Sequence, residues 1–161
     1  MNLYAYAGNN PIGFSDPFGL RSCPPFCDDL LDAQVDMRSE KSIAGLDPEV
    51  QKAARRVVNF SHWIGEPIQV YSGFRSFEKQ DSLYAQGRTT PGAIVTYAKG
   101  GQSNHNSGRA IDVAPVLDGA IKVELPPASA VVGIAKALGF EWGGDWTVRI
   151  DLPHFQMPSR P

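Results

Sequence analysis

The sequence predicts an α+β domain with a small, largely antiparallel sheet and flanking helices. Three observations lead there. A capped amphipathic helix follows Asp47, and short strand-like runs recur at 67–72, 109–114, 140–142 and 153–157 with further helical stretches between them. The chain length of 161 residues also suits one compact core better than two.

Residues 1–20 are rich in Gly, Asn, Pro and Tyr, with turn signals at Asn9-Asn10-Pro11 and Asp16-Pro17, and show no helical period. Residues 21–46 read as a polar connector with one short helix around Asp29 to Ala33. Its Cys23 and Cys27 are too few for a structural zinc site and leave open a local disulfide or two free thiols. The main domain is expected over 47–161. Asp47 caps a helix with Pro48 at its first position, and Val50, Ala54, Val57 and Val58 share one face until the stop near Gly65. Pro67 to Ser72 alternates as a strand with Ile68 and Val70 on one side. Ser76 opens a second helix that Gly87 closes. A loop rich in Gly, Thr, Ser and Asn runs from Arg88 to Gly108 and leads into a strand at Arg109 to Ala114. Ser129 to Leu138 forms a helix ended by Gly139, and Phe140 to Trp142 and Pro153 to Met157 supply the last strands.

A net charge of −2 gives no electrostatic footprint for gripping a phosphate backbone, so nucleic acid is excluded as the expected substrate. No run approaches the roughly 18 to 20 apolar residues that cross a bilayer, and the N-terminal residues lack the basic and apolar regions of a signal peptide.

The chain has three histidines, and two of them lie beside carboxylates in loops bearing Gly, Asn or Pro, in SNHNSGRAID and DLPHFQ. Catalytic zinc takes three protein ligands and leaves a fourth position for water. His105, Asp112 and His154 supply that number and those ligand types, although hydrogen-bonded histidines of the surface or core would leave the same pattern. His62, at a helix end, receives no ligand role.

Ser103 to Asp112 resembles the Ser-x-His-x-x-Gly-x-Ala-x-Asp signature of the VanY-type zinc peptidases, which include D,D-carboxypeptidases, L-alanyl-D-glutamate endopeptidases and many phage endolysins. Asp151-Leu152-Pro153-His154 is similar to that family's acidic-x-x-His signature, and the similarity extends through SGFRSFEKQDSLYAQGRT and WGGDW, from about Ser39 to Gln156. The resemblance implies a Hedgehog/DD-peptidase fold, a Zn2+ ion on His105, Asp112 and His154, and Asp151 as catalytic acid/base. It implies Arg75 near the scissile carbonyl, where a guanidinium stabilises an oxyanion. It places Ser103 at the metal loop or the substrate, and Trp142 and Trp146 as aromatic walls for a peptide stem, a role that core packing could replace.

Residues 2–20, NLYAYAGNNPIGFSDPFGL, are similar to the closing segment of the Rhs repeat-associated core. That family places a toxin domain after the Leu, so this resemblance implies an Rhs shell in the full-length parent, a cognate immunity protein, and delivery without a signal peptide, by type VI secretion, to the periplasm of a target bacterium. The expected reaction is hydrolysis of the L-Ala to D-Glu bond of peptidoglycan stems. Two readings stand beside it: removal of terminal D-Ala, and a zinc-bearing binding module without catalysis.

Overall fold

The computed structural model describes residues 35–158. The readings of residues 1–20, of the helix near Asp29 and of Cys23 and Cys27 therefore lie outside the described residues. Within them the order is helix α1 (Met37–Ile43), helix α2 (Pro48–Trp63), strand β1 (Ile68–Ser72), helix α3 (Phe77–Ala85), a 3-10 turn (Asn104–Ser107), strands β2 (Ala110–Leu117) and β3 (Ala120–Ile121), helix α4 (Ser129–Ala137), strand β4 (Glu141–Trp142), a second 3-10 turn (Gly143–Asp145) and strand β5 (His154–Gln156).

The helix starts follow local chemistry. Asp36 accepts from the backbone N–H groups of Arg38 and Ser39 at the head of α1. Asp47 accepts from Glu49 N–H, with Pro48 next in line, at the head of α2, and Ser76 accepts from Lys79 N–H at the head of α3. Each such cap contributes about 1 kcal/mol.

All strand pairings are antiparallel, in the order β1-β2-β5-β4, with β3 paired to the far end of β2. One sheet face is apolar. Ile68 and Val70 of β1, Ile111 and Val113 of β2 and Phe155 of β5 join Val50, Ala54, Val57 and Val58 of α2 and Val131, Ile134 and Ala135 of α4 in the core. Phe155 is 1% exposed, and truncating such a side chain to alanine costs about 3–5 kcal/mol. Alternation sends Asp112 of β2 and His154 and Gln156 of β5 to the other face.

Three differences from the sequence reading matter. The domain begins earlier than residue 47, because α1 falls in the expected connector and buries Ser39 and Ile43 against β1 and α2. Its buried positions are too few and too polar to show a helical period. β2 is longer than expected, and β3, which is only two residues long, carries no alternation to read. The third difference is a bulge. Val70 pairs with Val113 and Ser72 with Asp112, which leaves Tyr71 as an extra residue without a partner.

Candidate metal centre

Asp112 sits in mid-β2, His154 opens β5 directly opposite it in the register, and His105 hangs from the 3-10 turn just before β2. That turn is capped at its start by the Ser103 hydroxyl, which accepts from His105 N–H. It ends at Gly108, whose φ of 69° is the left-handed conformation that glycine adopts without strain. Arg109 then ties the turn's exit down, reaching Asp47 and Glu49 of α2 and donating through Nε to the Pro158 carbonyl.

The three side chains converge. His105 Nε2 lies 3.3 Å from His154 Nδ1 and 3.3 Å from Asp112 Oδ1, and His154 Nδ1 lies 3.1 Å from the same oxygen. Oxygen and nitrogen ligands bound tetrahedrally at about 2.0–2.2 Å sit roughly 3.3–3.6 Å apart. The observed separations are close to the edges of such a tetrahedron. All three residues are buried, at 2%, 7% and 8% exposure, and among the described residues they form a group able to hold a metal.

The hydrogen bonds fix which ring nitrogens face the centre. A carbonyl oxygen only accepts, so the 2.7 Å contact of His105 Nδ1 with Gly73 O places the proton on Nδ1 and frees Nε2. His154 is held in the opposite sense, with Nε2 facing Gln156 Oε1 at 3.2 Å and Nδ1 facing the centre. Gln156 is itself fixed. Its Oε1 accepts from Asn104 Nδ2 at 2.7 Å, and its Nε2 donates to Glu141 Oε2 at 2.9 Å.

Electrostatics follow from the packing. Burial opposes ionisation of Asp112, but its contacts with the two imidazoles and the charge of Arg75 outweigh it and hold the carboxyl well below the usual range. Burial likewise opposes charging of His154, yet the Asp112 carboxylate raises its pKa above the ordinary imidazole value. For Asp151 burial leads: it raises the carboxyl, His154 pulls it down, Asp112 pushes it up, and the net shift is upward.

Asp151 lies three residues before His154, and its backbone is clipped at two points, donating to Gly143 O at 3.0 Å and accepting from His154 N–H at 3.2 Å. A Cβ added to Gly143 would come within 2.4 Å of Asp151 O, so only glycine allows this approach. Arg75 reaches the site through the Asp112 carboxylate. Its Nη2 bonds Asp112 Oδ2 and Ser72 Oγ, and its Nε also bonds Ser72 Oγ, so much of the guanidinium is spent orienting the Asp112 carboxylate. Trp146 stands against His154, with ring centroids 5.3 Å apart. Trp142 stacks on Phe155 at 6.3 Å and donates to Leu152 O, and its remaining surface lines a pocket together with Trp146. The sequence reading gave Gln156 no role and noted Gly143 only as part of the WGGDW block. DLPHFQ did contain the signal for Gln156, since position i+2 on a strand shares the face of His154.

Residues 96–157 match the D-alanyl-D-alanine carboxypeptidase family. Over 103 residues the chain is 50% identical to the peptidoglycan L-alanyl-D-glutamate endopeptidase CwlK of Bacillus subtilis (strain 168), which covers 58% of this chain and 62% of that protein. Over 124 residues it is 32% identical to the L-alanyl-D-glutamate peptidase of Listeria phage A118, across 74% of this chain and 40% of that protein. The chain thus spans less than two thirds of the length of either relative. Among solved structures, the Serratia marcescens L-Ala D-Glu endopeptidase ChiX superposes with a TM-score of 0.59 at 23% identity, covering 81% of this chain and 93% of that one. VanYB in complex with D-alanine-D-alanine gives a TM-score of 0.52 at 19% identity, over 71% and 72%. The described domain therefore has the fold of the ChiX and VanY peptidases, and the segment that matches the D-alanyl-D-alanine carboxypeptidase family holds all three candidate ligands together with Asp151.

Proposed function

We propose that this chain is a zinc peptidase that hydrolyses the L-Ala to D-Glu amide of peptidoglycan stems, with His105, Asp112 and His154 as ligands and Asp151 as acid/base. The observation that carries this reading is the triangle of ligand atoms at 3.1–3.3 Å, oriented by Gly73 and Gln156, with Asp151 clipped beside it. A VanY relative is described in complex with Zn(II), and two nitrogens with one carboxylate oxygen suit that ion. Bound there, zinc polarises the scissile carbonyl and makes water acidic enough to attack near neutral pH.

The protein's own part is positional and protolytic. Asp151 accepts a proton from the attacking water as its oxygen bonds the carbonyl carbon. It then returns that proton to the amide nitrogen as the C–N bond breaks, leaving a carboxylic acid and an amine, which exchange the remaining proton to become carboxylate and ammonium. A carboxyl pKa raised by burial suits both steps. Arg75 and Ser72 hold Asp112 ionised and in place. Trp146 screens one side of His154 from water.

Two finer readings accompany this one. The resemblance of residues 2–20 to the end of an Rhs core supports a toxin tip delivered to a target periplasm and countered by an immunity protein. Removal of terminal D-Ala is the second enzymatic reading, favoured by the matched family and by VanYB in complex with D-alanine-D-alanine. Purified sacculi incubated with the zinc-loaded protein, with and without a chelator, separate them by mass. New N-terminal D-Glu fragments are expected. Free D-Ala alone would replace the endopeptidase reading with the carboxypeptidase one, and intact sacculi would refute both.

A further inference from the structure

The bulge in β1 falls between Val70 and Ser72, beside Asp112. Regular alternation after Ile68 and Val70 would turn Tyr71 to the metal face and Ser72 back toward the core. The extra residue instead sets both Tyr71 and Ser72 opposite Asp112, and Ser72 indeed reaches Arg75 on that face. A bulge beside a site re-aims side chains at the cost of ladder pairing. The bulge thus re-aims Ser72, while Tyr71 keeps the metal face that alternation gives it and is half-buried. The charges of Asp112, Asp151 and Arg75 all act on its phenol, and burial together with the two carboxylates holds it protonated far into alkaline pH. Its hydroxyl has no hydrogen-bond partner among the described residues.

Arg75, the expected oxyanion partner, commits Nε and Nη2 to Ser72 and Asp112. That leaves Nη1 as the guanidinium's uncommitted nitrogen, and the unpartnered phenol O–H of Tyr71, on the same sheet face as Asp112, is a further donor there. We propose that Tyr71 is a catalytic hydrogen-bond donor whose phenol binds the oxyanion formed at the scissile carbonyl of a stem peptide. The inference rests on the peptidase reading above. In the reaction the carbonyl π electrons pass to oxygen as water adds to carbon. The Tyr71 O–H donates to that oxygen without transferring its proton, and the contact relaxes when the C–N bond breaks and the carbonyl re-forms.

Tyr71→Phe removes one unpartnered hydroxyl and keeps the ring, so folding and metal content should persist; thermal melting and elemental analysis check both. Steady-state rates on a soluble stem peptide should show kcat lowered about 10- to 1000-fold with KM within about threefold, the pattern of a contact made only in the transition state. A phosphinate pseudopeptide that mimics the tetrahedral centre should bind the variant at least about tenfold more weakly, while the uncleaved peptide binds both forms alike. Unchanged kcat and phosphinate affinity, or a rise in KM alone, would overturn the proposal while leaving the peptidase reading intact. A zinc-loaded wild-type protein that neither cleaves stems nor binds the phosphinate would overturn both.

Discussion

His105 donates through Nδ1 to the backbone carbonyl of Gly73 at 2.7 Å, so the end of β1 decides which nitrogen His105 offers to a metal. Gly73 can take that place because it has no side chain. A Cβ there would lie 2.0 Å from Ser42 O, in the last turn of α1, the segment capped at Ala44. Gly73→Ala is expected to push β1 away from that segment, rotate the carbonyl and weaken zinc binding by about 10- to 100-fold, the usual worth of such an orienting partner. Titration against a competing chelator measures it.

The second histidine is held by a side chain rather than the backbone. Gln156→Ala removes the acceptor on His154 Nε2 and leaves Asn104 Nδ2 without its partner. Zinc affinity is expected to drop by about 10- to 100-fold. Gln156→Glu, which keeps an acceptor at the same reach, should recover most of it. Equal losses in both variants would show that Gln156 acts through packing alone.

The signs of the two ligand shifts oppose one another on the pH axis. Asp112 has a depressed pKa, so its contribution to the metal-free fold is present above the ordinary carboxylate value of about 3.9 and is lost as pH falls through its lower folded value. His154 has a raised pKa, so its contribution is complete below the imidazole value of about 6.5 and is lost as pH rises through its folded value. Zinc needs His154 without its proton and binds better along the same rise. The Tm difference between zinc-loaded and chelated protein should therefore widen between about pH 6 and pH 8. Scanning calorimetry at several pH values tests this, and a constant difference would contradict it.

Where the sequence could be read, short-range chemistry carried the signal. Asp47-Pro48 marked the head of α2, and Ile68 with Val70 marked the inner face of β1, because caps and alternation are local. His105, Asp112 and His154 were legible as a set only through residue type and motif order. Their convergence depends on β2 pairing with β5, a contact across more than forty residues. What stayed hidden has one physical cause in each case. The bulge at Tyr71 is a property of two strands in register, not of one strand's residues. α1 buries Ser39, whose hydroxyl accepts from Val70 N–H, and polar burial leaves no apolar period. Gly143 looks like any loop glycine until Asp151 O is found against it.

The central claim is that one carboxylate binds metal and another moves the proton, and zinc content measured alongside hydrolysis rate in paired variants tests it most directly. Asp112→Ala removes a ligand with its charge, so zinc and turnover should fall together. Asp151→Asn keeps shape but cannot accept a proton, so zinc should stay bound while turnover on sacculi falls by about 100- to 10,000-fold. An Asp151→Asn protein with full zinc and near-normal turnover would contradict the account, and one that lost its zinc would make Asp151 a ligand instead of a base.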